Sequence, residues 1–147
     1  MNHIFLVKSA RWSLQGHLSN QNYEFQRIAG VITVSWKREK WFDMETHISL
    51  NKSDSQDIVA KCKGHFDHQG KSYCYVLKHN LLGNIEGEGF LSLESIVQYY
   101  WLVSSSRRYL GVENFYRIDE STYHMSSLFL ESHNFENNME ATLKLFK

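Results

Sequence analysis

The amino-acid sequence predicts an all-β protein, namely a single antiparallel β-barrel of about nine or ten strands formed by residues 1–147. Apolar residues make up 42% of the chain and aromatic residues 14%, which is sufficient for one core. Short stretches rich in Val, Ile, Tyr, Phe, Trp and Thr are separated by polar clusters typical of turns. Within these stretches apolar residues recur with a period of two, as they do on one face of a sheet.

The first half of the chain shows this alternation clearly. The first segment places Ile4, Leu6, Ala10, Trp12, Leu14, Gly16 and Leu18 on one face, with Phe5 and Val7 as exceptions. Residues 28–36, 42–50 and 58–66 repeat the pattern. One face of each strand is therefore expected to be buried and the other solvated.

A tight turn is predicted at Asp67–Gly70, because Asp opens a type I turn and Gly accepts the left-handed position. Residues 73–79 would form the return strand. The following stretch, 80–89, contains Gly83, Gly87 and Gly89, which predicts a kinked or bulged strand.

Four more strands are predicted in the second half, at residues 96–103, 109–118, 123–130 and 139–146. The apolar residues around the first and the last also fit helical spacing, but Val, Tyr, Trp and Thr favour strands there. A sheet with this many strands normally closes on itself, because closure removes its unpaired edges. An antiparallel barrel follows.

Three segments resemble the calycin-like β-barrels, the group that contains lipocalins and fatty-acid-binding proteins. Trp12–Gly16 resembles the tryptophan-and-glycine opening strand, and residues 115–124 followed by 139–144 resemble the closing strands of small bacterial calycin-like families. Residues 87–101 are similar to cyanobacterial proteins of this type. The tryptophan precedes the glycine here, unlike in lipocalins, and the arginine–tyrosine pair that binds carboxylates in fatty-acid-binding proteins has no match. The resemblance implies a barrel with an internal cavity and names no ligand.

Charge and cysteine content exclude several classes. Sixteen basic and sixteen acidic residues balance, so no footprint for nucleic acid or an anionic membrane is present. Cys62 and Cys74 are expected to be free thiols. The apolar run Ile4–Val7 is too short for a secretory signal, and no stretch suits a transmembrane helix, so a cytoplasmic location is predicted.

Histidine and cysteine residues around the predicted turn invite a metal hypothesis. His65, Asp67 and His68 lie at the turn, with Cys62 and Cys74 on its flanks. Zinc sites need converging ligands at short fixed spacing, such as paired Cys-x-x-Cys motifs, and none occurs. We therefore predict no metal site and solvent-exposed turn histidines.

Catalytic motifs are also lacking. Gly-x-Ser-x-Gly is absent, and Ser104–Ser106 before a pair of arginines is typical of a loop. Glu86 and Glu88 share a strand face at a separation that could divide acid and base roles. Ile85 and Gly87 occupy the opposite face, so both carboxylates are expected to face water. No catalytic residue and no cofactor is predicted.

The aromatic residues suggest that a ligand binds inside the barrel, since ligand pockets are mostly apolar with a few placed polar groups. The predicted ligand-binding residues are Trp12, Trp36, Trp101, Tyr123 and Met125 as walls, with Arg117 or His124 as anchor. His79 and Tyr116 are further polar candidates, and Phe42, Met44, Tyr99, Phe129 and Met139 further interior candidates. Small barrels can instead be filled completely by side chains, so a filled core remains an alternative.

The most direct interpretation is non-catalytic binding of a small apolar or amphipathic molecule. A filled-barrel interaction module is one alternative, acting as a homodimer or a larger homo-oligomer through outward aromatics near Tyr99–Trp101, with Phe5 and Val7. A calycin-type enzyme that acts on a bound pigment or tetrapyrrole is another, with His124 as its titratable residue. Haem ligation by a histidine belongs to the same group, although no Cys-x-x-Cys-His motif occurs.

Overall fold

The chain forms ten antiparallel strands in a computed structural model that describes residues 3–51 and 56–147. The strands are β1 (Ala10–Asn20), β2 (Phe25–Trp36), β3 (Trp41–Leu50), β4 (Ile58–Phe66), β5 (Ser72–His79), β6 (Gly83–Leu91), β7 (Ser95–Leu102), β8 (Tyr109–Asp119), β9 (Thr122–Glu131) and β10 (Asn134–Leu145). The described residues include no helix, so none that could span a membrane.

Each strand pairs with its neighbours in sequence, and β1 pairs with β10 to close the barrel. The closing register joins Trp12 to Leu145 and Asn20 to Asn137. The predicted all-β, antiparallel barrel is therefore confirmed. The two segments that also fitted helical spacing lie in β7 and β10, as their β-branched and aromatic residues indicated.

The predicted first strand begins too early. Residues 3–9 lie outside β1, and Leu6 has a φ of 74° within a turn. The turn directs two consecutive side chains inward, so Phe5 and Leu6 are both buried. The prediction of Phe5 on an exposed outer face is therefore wrong.

This N-terminal segment closes one end of the barrel. Phe5 packs against Trp12, Phe115 and Tyr123, with ring centroids 4.8–5.5 Å apart. His3 is buried, and its Nε2 donates a 2.7 Å hydrogen bond to the backbone carbonyl of Ser92. Its Nδ1 forms a 2.7 Å hydrogen bond with the Tyr123 hydroxyl. Since the contacts reach both β9 and the β6–β7 turn, the segment holds separate strands together.

A second aromatic cluster fills the same end beside the first. Trp36, Phe42, Phe66 and Tyr73 pack with centroid separations of 5.0–5.9 Å. The Trp36 indole donates a hydrogen bond of 2.7 Å to the carbonyl of Leu6. The N-terminal segment is thus tied to both clusters, and this end of the barrel is filled with side chains.

Aromatic residues and glycines alternate across the strands from β3 to β9. In cross-strand register the series runs Phe42, Gly64, Tyr75, Gly87, Tyr100, Gly111 and Phe129, here called the aromatic–glycine row. A Cβ added to Gly87 would lie 2.3 Å from the Tyr75 ring, and one added to Gly111 would lie 1.9 Å from the Tyr100 ring. The rings of Phe42, Tyr75 and Tyr100 therefore lie against the backbone of the next strand, where only glycine leaves room.

The glycines of residues 80–89 consequently serve a purpose other than the predicted one. β5 and β6 pair without interruption, so the expected kink or bulge is absent there. Register shifts occur instead at Arg117/Asp119 in β8 and Phe135/Asn137 in β10. The Asp67–Gly70 turn is present as predicted, with the Gly70 amide bonded to the Asp67 carbonyl and a Gly70 φ of 72°.

The contribution of the N-terminal segment can be measured with Phe5→Ala. We expect this change to lower the free energy of unfolding by about 3–5 kcal/mol, as for other buried Phe truncations. The control is Phe25→Ala, which removes a ring that is 68% exposed and should cost less than about 0.5 kcal/mol. Denaturant unfolding measures both, and equal losses would contradict a structural role for the segment.

Candidate functional site

A cavity of about 430 Å³ occupies the barrel between the aromatic clusters and the opposite end. Its floor includes Phe115, the residue that also packs on Phe5. Its walls are mainly aliphatic and include Leu14, Ile32, Met44, Ile48, Leu77, Ile85, Met125 and Met139. The lining extends to Leu81 and Leu82 in the β5–β6 turn. The barrel is therefore filled at one end and hollow at the other, so each sequence-based alternative describes one half.

A short chain of polar side chains enters this apolar cavity. The Tyr73 hydroxyl donates a 2.6 Å hydrogen bond to Gln98 Oε1, and Gln98 Nε2 donates one of 2.6 Å to Glu113 Oε1. Tyr73, Gly89, Gln98 and Glu113 lie in one cross-strand row. Because Gly89 has no side chain, Tyr73 reaches across β6 to Gln98.

Glu113 is the carboxylate of the cavity. It lines the cavity wall and is partly accessible. Burial raises the pKa of Glu113 above its ordinary value of 4.5, and the hydrogen bond from Gln98 opposes this rise. Among the described residues no Lys, Arg or His forms an ion pair with it.

The charge of Glu113 affects four other titratable side chains. Burial, followed by this charge, raises the pKa of the Cys62 thiol to about 12 and raises the pKa values of Tyr73, Tyr75 and Tyr100. Tyr75 is only 5% exposed, yet its hydroxyl has no hydrogen-bond partner among the described residues. A buried hydroxyl without a partner is costly, and Tyr75 belongs to the residues that line the cavity.

His79 lies at the rim of the cavity, where β5 ends. Its Nδ1 accepts hydrogen bonds of 3.1 Å from the backbone amides of Leu81 and Leu82. Burial lowers the pKa of His79, which favours the neutral ring that can accept these bonds. His79, proposed from sequence as a polar cavity group, therefore lines the cavity and shapes its rim.

Met125 lines the cavity, but the other predicted ligand-binding residues do not. Trp12 and Tyr123 are fully buried in the closed end against Phe5. Trp36 lies in the second aromatic cluster of that end. These side chains point inward as predicted, yet the N-terminal segment separates them from the open half.

Arg117 also lies near the closed end, where it forms a 3.9 Å ion pair with Glu94. Trp101 and His124 are on the outer face of the barrel, which corrects their predicted inward placement. His124 lies 4.0 Å from Glu140, and Trp101 is 36% exposed. Tyr100 and Met125 point into the barrel. Because side chains alternate along a strand, their neighbours Trp101 and His124 point outward.

Sequence reasoning did not single out Glu113. In β8 the outward residues Leu110, Val112, Tyr116 and Ile118 are more apolar than the inward ones, so hydrophobic patterning points to the wrong face. The register supplies a signal instead, because Glu113 directly faces Gln98 across β7 and β8. Two hydrogen-bonding side chains opposite each other on the inner face of a barrel indicate an interior polar pair.

The remaining sequence candidates lie outside the cavity or apart from one another. Glu86 and Glu88 are on the outer face, where Glu88 accepts a hydrogen bond from Tyr99. Cys62 is buried and Cys74 exposed, and both are free thiols, as predicted. His65 packs on Trp41 at the outer face. Within residues 3–51 and 56–147 no group of three His, Cys, Asp or Glu side chains is arranged to bind a metal ion.

No protein-family model and no curated protein matches this chain by sequence. Solved structures match its fold. Rv2717c from M. tuberculosis superposes with a TM-score of 0.73 at 10% identity, over 95% of this chain and 92% of that chain. The S-type phycobiliprotein lyase CPES from Guillardia theta superposes with a TM-score of 0.67 at 8% identity, over 95% and 88%. The predicted calycin-like barrel is thereby confirmed as the fold.

Glu113→Gln tests the electrostatic cost of the buried carboxylate. The raised pKa means that the folded protein holds the proton more tightly than the unfolded chain does. The stability from this group is therefore present below the unfolded pKa and is lost as pH rises through the folded pKa. We expect the variant to be more stable than wild type at pH 7, with a gain that disappears near pH 4.

Denaturant unfolding at both pH values measures this difference. Comparison with wild type at each pH cancels the titration of other groups. Glu86→Gln is the control, because it removes an exposed carboxylate from the outer face. A Glu113→Gln variant that is equally destabilised at pH 4 and pH 7 would contradict the conclusion that burial of the charged Glu113 carboxylate destabilises the protein.

Proposed function

We propose that this protein binds a small apolar or amphipathic molecule, without catalysis, in the open half of its barrel. The observation that carries the proposal is the hollow half itself, a cavity of about 430 Å³ with a largely aliphatic wall. Ligand pockets commonly measure about 300–1,000 Å³ and combine an apolar lining with a few polar groups. Glu113, Gln98 and Tyr75 are such groups here.

The packing of the opposite end supports the same proposal. Aromatic clusters fill that end without leaving comparable space, so the sequence contains residues large enough to close a barrel. The side chains of this chain therefore confine the cavity to one half of the barrel. Aliphatic walls and an N-terminal plug together give a pocket with a floor and one mouth.

The enzyme alternative has less support in this chain. A solved neighbour is named as a phycobiliprotein lyase, but similarity at 8% identity extends to fold only, and one fold hosts many functions. His124, the titratable residue proposed for turnover, lies on the outer face beside Glu140. It has no access to a molecule held inside the barrel.

Ser127→Phe tests the binding proposal. Ser127 lines the cavity, and a phenyl ring there would occupy the space that a ligand needs. The matched control is Ser126→Phe, which places the same ring on the outer face of β9. We expect Ser127→Phe to weaken binding of a fluorescent hydrophobic dye at least tenfold and Ser126→Phe to leave it within about twofold.

Native mass spectrometry of gently purified protein, together with an absorption spectrum, would then identify a co-purifying molecule. An added mass that is present in wild type, retained in Ser126→Phe and lost in Ser127→Phe supports the proposal. Wild-type protein that carries no added mass and binds no dye would refute it.

Homodimer formation is a second candidate function, and a surface feature favours it. The outer face of β6–β9 carries an apolar patch, here called the outer apolar patch, that consists of Phe90, Val97, Tyr99, Trp101, Leu110, Val112 and Leu128. These residues are neighbours in cross-strand register, and Phe90 and Trp101 are 47% and 36% exposed. Glu86 and Glu88 border the patch opposite Trp101 and Tyr99, so the apolar side chains themselves are the surface that a second copy would cover.

Trp101→Lys tests this second candidate. A lysine would place a charge within the patch, next to Leu110, and should convert a dimer to a monomer in sedimentation velocity experiments. The control is Val76→Lys, which adds a lysine to the outer face of β5 at a residue that is 54% exposed. A wild-type protein that sediments as a monomer at high micromolar concentration would rule the candidate out.

A further inference from the structure

The charge inside the cavity is unbalanced. Glu113 is its carboxylate, whereas the described lining includes no Lys or Arg and only His79 as a basic residue. His79 uses Nδ1 to accept two backbone amides, and burial disfavours its charged form. The cavity wall therefore offers a negative group with no cationic partner, in surroundings that screen it weakly.

The polar chain behind Glu113 orients it as an acceptor. Tyr73 donates to Gln98 Oε1, so the amide turns its NH₂ group toward the carboxylate. A donor directed at Glu113 Oε1 stabilises the ionised form. Among the described residues no second donor reaches Glu113, and one side of the carboxylate stays available to a bound molecule.

Tyr75 supplies an independent observation. Its ring lies flat on Gly87, and its hydroxyl is buried in the cavity wall without a hydrogen-bond partner in the described part of the chain. A hydroxyl can accept one hydrogen bond while it donates another. The Tyr100 ring lies next along the same row, and aromatic faces attract cations.

We propose that the ligand of this cavity is an amphipathic organic cation whose protonated nitrogen binds Glu113 and Tyr75, with an apolar body against the aliphatic wall. This inference rests on the proposed ligand-binding function and specifies its chemical class. A carboxylate ligand would meet Glu113 as a like charge, and an apolar neutral chain would leave Glu113 without a counter-charge and Tyr75 without a hydrogen-bond partner. An ammonium group satisfies both with charge-assisted hydrogen bonds.

Three probes with one chain length test the selectivity directly: dodecylamine, dodecanol and dodecanoic acid, each below its micelle-forming concentration. Displacement of the bound hydrophobic dye from the full-length wild-type protein at pH 7.5 gives their relative affinities. We expect the amine to bind at least tenfold more tightly than the alcohol, and the acid to bind most weakly of the three.

Two variants assign that selectivity to residues. Glu113→Gln keeps an acceptor for Gln98 and should reduce the amine-to-alcohol preference to less than about twofold. Tyr75→Phe removes a hydroxyl that has no internal partner, so it should fold normally and weaken amine binding about threefold. Glu88→Gln, on the outer face, is the matched control and should leave the preference unchanged.

Every outcome decides between the two proposals. If the dye binds and the amine shows no preference over alcohol and acid, the cation inference falls while ligand binding stands. A preference that survives Glu113→Gln also overturns the inference, because the selectivity would then arise elsewhere. If neither the dye nor any of the three probes binds, the proposed function fails together with the inference.

Discussion

The interior of this barrel depends on aromatic rings that lie flat on the backbone of the neighbouring strand. In the aromatic–glycine row, every ring from Phe42 to Tyr100 rests on a glycine directly opposite it, where a Cβ would clash. Rings held against the wall take up less of the lumen than rings that point to the barrel axis. The rings of this row that line the open half, Tyr75, Tyr100 and Phe129, therefore leave space for the cavity.

The same arrangement positions the polar groups of the cavity. Because Gly89 leaves room for the Tyr73 ring, the Tyr73 hydroxyl reaches Gln98 two strands away. Gln98 in turn faces Glu113. Below this level the N-terminal segment inserts Phe5 among the aromatic rings and closes the barrel. Glycine spacing thus sets the width of the open half, and residues 3–9 set its depth.

Period-two alternation was sufficient to predict the strands and the closure of the barrel, because it follows from burial of one face. It was not sufficient to predict which residues line the cavity. In β8 the exposed Tyr116 and Ile118 look more like core residues than Glu113 does. Phe5 is buried through a turn that alternation cannot describe, and Trp101 follows the inward Tyr100, so it faces outward. Cross-strand register, which needs the fold, determines these placements.

Glu113 is the residue that the stability of the barrel explains least. A methionine or leucine at this wall position would bury apolar surface. The carboxylate must instead be desolvated, and its apolar surroundings disfavour its charged form. Gln98 and Tyr73 reduce that penalty, but they also commit two further interior positions to polar side chains. Tyr75 adds a hydroxyl that receives no compensation within the described chain. Glu113 and Tyr75 lower the stability of the empty barrel. A complementary cation in the cavity would offset that cost, because it would pair with both groups.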